Sequence, residues 1–193
     1  MKETHTYLDR LREIGIDQYG FVTTEQALET GVGHAELSKM VSRERLERVA
    51  HGVYRVPLVP HTEYTRFMLA LLWTGASEAA LSHETALDLY GVSDINPTMI
   101  HVAVAKSRRI RRSGGQGYAV HYEDLKSNQL TWFEGMCIVT LVTSIEQCII
   151  AGVPSYLVLQ AIEHGGKSNQ VVANEQERLI HMLGKRDDSK QTN

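Results

Sequence analysis

Cations and hydroxyls recur between Ser38 and Arg55 at spacings that suit a phosphate backbone. If residues 34–42 are helical, about 100° per residue puts Ala35, Ser38, Lys39, Ser42 and Arg43 on one face. Small, hydroxylic and cationic side chains of that kind can lie close to DNA phosphates and reach base edges. Arg45, Arg48, His51 and Arg55 follow in a short β-favouring stretch, placed to hold the backbone. A second group is Lys106, Arg108, Arg109, Arg111 and Arg112, with no acid between them and Ser113-Gly114-Gly115-Gln116-Gly117 after them. Such a connection, kept mobile by glycine, could grip DNA or an acidic partner surface. It could equally be a solvated hairpin.

Residues able to do catalysis form weaker patterns. Ala161 to Ser168 has the outline of a phosphate-binding loop, ending Gly165-Gly166-Lys167-Ser168. That chemistry needs a strand before the loop and a helix after it, whereas 154–164 has the pattern of a helix ending at the glycines. His83-Glu84 lacks the second histidine of a zinc-protease helix, and the nine histidines show no ligand spacing, so His83 is expected to be structural. A magnesium-dependent nuclease would draw on Asp94, Glu123, Asp124 and Lys126, whose order makes no convincing set. Cys137 and Cys148 fall on apolar faces and are expected to be inert thiols. No catalytic residue, cofactor or metal site is assigned on these grounds.

The elements that must position the cations begin with a helix carrying Leu8, Leu11 and Ile14, stopped near Gly15. A second helix opens at Thr23 with Gln26 completing a capping box, and Gly31 ends it. The short Gly31-Val32-Gly33 turn forces a steep crossing into the third helix, His34 to Ser42, whose buried stripe is Leu37, Met40 and Val41. Leu46 to Val49 and Val53 to Val56 form a hairpin around Ala50-His51-Gly52, ended by Pro57. This order is a winged helix-turn-helix over residues 1–58. After the proline-marked junction, residues 61–184 alternate helices and strands. An apolar helix covers Tyr64 to Trp73, and Ser82 caps a short helix closed by Gly91. Strands are expected at Thr98 to Ala105, Tyr118 to Tyr122 and Phe133 to Thr140. Helices are expected at Ser144 to Ala151, Pro154 to His164 and Asn174 to Leu183. The fold class is therefore α+β, a winged helix-turn-helix followed by a mixed α/β C-terminal domain. Residues 185–193 carry no apolar side chain and are expected to be a disordered tail.

The total charge points away from nucleic acid: net −3, with an isoelectric point near 6.3. Acids on the first two helices offset the cations of the third helix and hairpin, so the distribution rather than the sum decides. The first residues, Met1 to His5, have no apolar stretch of signal-peptide type, and no run approaches the roughly 20 residues of a membrane span. With two cysteines and no disulfide framework, a reduced cytoplasmic location without membrane contact is expected.

The hairpin Arg45-Leu46-Glu47-Arg48-Val49-Ala50-His51-Gly52-Val53-Tyr54-Arg55-Val56-Pro57 resembles the wing of AbiEi-type antitoxins. The later segments Ser82 to Gly91, Ile100 to Val104 and Gly135 to Thr140 resemble motifs that follow it in that family. Their common order extends the resemblance from about Leu8 to Leu183. It implies an antitoxin of a bacterial type IV toxin–antitoxin, abortive-infection system for phage defence. The expected partners are operator DNA with repeated sites, bound to repress its own operon, and a nucleotidyltransferase-like toxin countered by the C-terminal domain. Where relatives carry an aspartate after the last motif, Gln147 and Cys148 stand here, which disfavours catalysis at that place. The alternative is a winged-helix enzyme that processes nucleic acid, with a nuclease-like C-terminal domain.

Overall fold

The computed structural model describes residues 6–191; the Met1 to His5 segment and Thr192-Asn193 of the expected tail lie outside them. The chain forms two units, residues 1–79 with 108–116 and residues 80–107 with 117–193.

In the first unit α1 (Tyr7–Ile16) starts from a reciprocal cap, in which Asp9 Oδ2 accepts from the Thr6 amide at 3.0 Å. The expected capping box of α2 (Thr24–Glu29) is present: Thr23 Oγ1 accepts from the Gln26 amide, and Gln26 Oε1 accepts from the Thr23 amide. Helix α3 (His34–Ser42) follows, then β2 (Glu47–Ala50) and β3 (Val53–Arg55) as the hairpin. A strand not anticipated from the pattern, β1 (Phe21–Thr23), pairs antiparallel with β3 and completes a sheet of order β1-β3-β2. Leu11, Val22, Ala27, Val32, Leu37, Met40, Leu46 and Val56 form one buried core beneath these elements.

The domain junction expected at 58–61 lies inside this unit. Helix α4 (Thr65–Thr74) packs on β1, with the Tyr19 and Tyr64 rings edge to face at 6.2 Å and Phe67, Leu71 and Trp73 buried. An apolar helix cannot stand alone in water, and this one completes the winged module instead of opening the next domain.

The second unit is a five-stranded mixed sheet of order β6-β5-β4-β8-β7, built from β4 (Ala80–Leu81), β5 (Ile100–Val104), β6 (Tyr118–Tyr122), β7 (Leu130–Phe133) and β8 (Met136–Val139). β5 and β6 run parallel, as do β4 and β8; the other pairs are antiparallel. The single strand expected over Phe133 to Thr140 is thus a hairpin, because Glu134-Gly135, both at positive φ, turn the chain. Helix α5 (His83–Tyr90) leaves β4, and α6 (Leu141–Ala151), α7 (Ser155–Lys167) and α8 (Ala173–Gln191) follow the sheet. Their core joins Leu87, Ile145, Ile149, Val158, Ile162 and Leu179.

Two expectations fail at the end of the chain. Helix α7 runs through Gly165-Gly166, which are needed for closeness: a Cβ on Gly165 would stand 2.7 Å from Val171 Cγ2. The outlined phosphate loop is therefore helix interior. The described part of the expected tail, residues 185–191, is the last stretch of α8. Its anchor is Arg186, whose guanidinium donates to Val153 O and Ser155 Oγ, both at 2.6 Å, and lies against Asp187. One well-placed arginine replaces the apolar residues that the segment lacks. Arg186→Ala should therefore destabilise the protein by roughly 1.5–3 kcal/mol, the usual worth of hydrogen bonds to a charged group, read as a lower urea midpoint.

Candidate nucleic-acid interface

The turn between α2 and α3 sets the geometry. Gly31 takes φ +82°, a left-handed conformation that suits glycine, and the Val32 amide donates to Ala27 O at 2.8 Å. Val32 is fully buried, so the chain reverses tightly and α3 starts at once from Gly33. Leu37 and Met40 then turn inward, and Ser38, Lys39, Ser42 and Arg43 are all exposed, as their spacing predicts. Ser42 Oγ donates back to Lys39 O at 3.0 Å, while Lys39 Nζ lies 3.5 Å from Glu36 Oε2. An exposed pair of that length is worth at most about 1 kcal/mol, so the lysine is free to exchange its partner for a phosphate.

Beyond α3 the chain reverses at Glu44, φ +57°, with the Arg45 amide donating to Met40 O at 2.8 Å. Arg45 and Arg48 are exposed, and an irregularity between Arg48 and Ala50 twists the hairpin before the His51-Gly52 turn. Gly52 O accepts from the Thr24 amide at 2.9 Å, tying the hairpin tip to the start of α2. Ser38, His34, Arg48 and His51 share the lining of a cleft of about 740 Å³ with Glu25 and Glu29.

Arg55 stands apart from the predicted set. Its guanidinium lies over the Phe21 ring at 5.6 Å and donates to Val59 O at 2.8 Å, so it holds β1 and the following segment together. The second basic group also departs from expectation. Arg108 makes a bidentate pair with Glu78, both bonds 2.7 Å. Arg112 Nη1 donates to Trp73 O at 3.0 Å and His51 O at 3.2 Å, passing over Gly75, where a side chain would block it. Trp73 Nε1 donates to Ser113 O at 2.8 Å, and its indole fills the space beside Gly115. These glycines admit neighbours at close range, and the segment is docked on α4. Lys106, Arg109 and Arg111 are exposed.

Among the described residues the nuclease candidates serve separate purposes. Asp94 accepts from Gln160 Nε2, Asp124 accepts from the Lys106 amide, and Glu123 accepts from Gln147 Nε2. The histidines are different: one nitrogen each of His83, His101 and His121 lies within 4.8 Å of the others. Burial, with the two neighbouring imidazoles, pushes His83 down to about 3. Burial also lowers His101 and His121. No local spacing could reveal this group, because sheet pairing assembles it. Cys148 is fully buried and its thiol pushed up by burial, consistent with an inert role.

Three helices closed by a β-hairpin, with the third helix presenting cations to solvent, define a winged helix-turn-helix. Residues 9–57, a quarter of the chain, match the family model described as "Transcriptional regulator, AbiEi antitoxin", so this segment is similar to the regulator domain of that family. Over 96% of its length the chain superposes on the crystal structure of RV2827C protein from Mycobacterium tuberculosis, covering 79% of that chain. The TM-score is 0.54 at 13% identity, a likeness of fold. No curated protein matches the chain.

The two wing arginines should separate on mutation. Arg55→Ala should lower stability by roughly 1–3 kcal/mol through its orphaned partners, whereas Arg48→Ala should stay within about 0.5 kcal/mol, both read by chemical denaturation.

Proposed function

We propose that the protein is a DNA-binding antitoxin that represses its own operon. The observation that carries this reading is the exposed Ser38, Lys39, Ser42 and Arg43 face beside Arg45, Arg48 and His51, within the segment that matches the regulator family. In this reading α3 enters the major groove and Lys39 and Arg43 meet base edges. Arg45, Arg48 and His51 hold phosphates on either side, and Arg55 contributes only through the fold. An acidic total is compatible with this arrangement because Lys39, Arg43, Arg45 and Arg48 are all exposed within one short stretch of the chain.

The finer assignments follow from the family likeness. The operator carries repeated sites, the system is of type IV with a role in abortive infection, and the second unit counters a nucleotidyltransferase-like toxin. The work is non-enzymatic and takes place in the cytoplasm. Among the described residues no helix is long and apolar enough to cross a membrane. The rival nucleic-acid-processing enzyme is disfavoured by the separate engagement of Asp94, Glu123 and Asp124.

Titration of the DNA upstream of the gene with the full chain tests the reading. Affinity should fall steeply with salt, and Arg48→Ala should weaken binding to all sequences alike while reducing the salt slope by about 1. Lys39→Ala with Arg43→Ala should erase the preference for upstream over unrelated DNA. The same double variant should still rescue cells from the toxin. An unchanged preference in that variant would remove α3 from the interface.

A further inference from the structure

We infer that the second unit holds a divalent transition metal, of the zinc class, on His83, His101, His121 and Glu123. The fold brings these residues together from three elements. His101 on β5 and His121 on the edge strand β6 point to the same face, since Ala103 is the register partner of His121 in this parallel pair. His83 begins α5, directly after β4, the other neighbour of β5. The His83 and His121 rings stack at 3.5 Å between centroids, and the His101 and His121 rings at 5.2 Å. His101 Nδ1 and His121 Nε2 are 3.0 Å apart. Two ligands of a tetrahedral zinc ion, each about 2.0–2.1 Å from the metal, would stand roughly 3.3 Å apart. The third nitrogen lies within 4.8 Å, and metal binding would turn the His83 and His121 rings out of their stacked arrangement so that their in-plane lone pairs meet at one ion.

The surroundings orient these groups as the partners of metal ligands commonly do. Ser82 Oγ lies 3.0 Å from His83 Nδ1, so Nε2 is the nitrogen turned to Glu123 Oε1, 3.4 Å away. Gln147 bridges the two, donating from Nε2 to Glu123 Oε2 at 2.6 Å and accepting the His83 backbone amide at 3.1 Å. Ser82 is fully buried, and His83 is buried at φ +50°, a conformation that side chains other than glycine seldom take. Backbone strain of this kind recurs where a ligand is clamped. A cation among the three imidazoles would replace the His101–His121 hydrogen bond and meet the Glu123 charge. Nitrogen and carboxylate donors without thiolate select zinc, cobalt, nickel or copper over calcium and magnesium. The bound metal would join the start of α5 to the outer edge of the sheet.

The test uses the full chain without a histidine tag, freed of metal by a chelator and titrated with Co²⁺, then with Zn²⁺. One Co²⁺ per chain is expected, with the visible bands of tetrahedral nitrogen and oxygen ligation, displaced by one Zn²⁺. His101→Gln, His121→Gln and Glu123→Gln should each weaken Co²⁺ binding at least tenfold. His181→Gln, on the exposed face of α8, should leave it unchanged. Far-ultraviolet circular dichroism reports whether each variant folds, and the native chain's own cobalt spectrum needs no variant. Absence of stoichiometric binding by the native chain overturns the site. So does unchanged affinity in any of the three folded site variants, or an equal loss in His181→Gln.

Discussion

The constraint on which the first unit depends is the three-residue turn between α2 and α3. Burying Val32 while Gly31 reverses the chain leaves one way for the next helix to leave, with Leu37 and Met40 against the core. Once that side is fixed, helical geometry places Ser38, Lys39, Ser42 and Arg43 outside. The hairpin is held to the same frame because Gly52 O accepts the Thr24 amide at the start of α2. Helix α3 and the hairpin tip are therefore referenced to a single short helix. A shift in the turn would misplace both cationic surfaces together.

Charge is divided between structure and surface in a way that composition hides. Arg55, Arg112 and Arg186 donate to backbone carbonyls, where a cation is held by fixed dipoles. Two of those positions lie at the end of a helix: Trp73 O is in the last turn of α4, and Val153 O comes just after α6. Cations are favoured there by the partial negative charge of the helix C-terminus. Lys39, Arg43, Arg45 and Arg48 on α3 and the hairpin remain exposed, so a net charge of −3 says little about the local charge of that surface.

Much of the winged module was legible because its signals are local. The Thr23–Gln26 box, the Leu37–Met40 stripe and the glycine-containing turns each act within a few residues, and each was found where expected. Strand β1 was missed because three residues, two of them buried, show no alternation. The docking of residues 108–116 was missed because glycines next to arginines suggest mobility. Whether such glycines loosen a loop or admit an indole at close range depends on Trp73, some forty residues earlier in the chain. Likewise, Arg186 sits in a stretch with no apolar residue, and its partners lie more than thirty residues away. In each case the deciding contact is long-range, and no periodicity encodes it.

The segment Ser82 to Gly91 shows how a local signal can be correct and still conceal its purpose. Ser82 was expected to cap the helix, and a helix does begin after it. Yet its side chain accepts no helix amide and instead meets the His83 ring, while the His83 amide goes to Gln147. A left-handed histidine costs about 1–2 kcal/mol. An ordinary helix start with a serine cap would have avoided that cost, so the cap chemistry was given up for the position of one ring. That ring faces His101 and His121, which are brought together only because β5 and β6 run parallel after a long excursion of the chain. The pairing of strands thus places the titratable groups, and the strained start of α5 completes the cluster. What looked like a helix boundary is better understood as one wall of a side-chain site in the second unit.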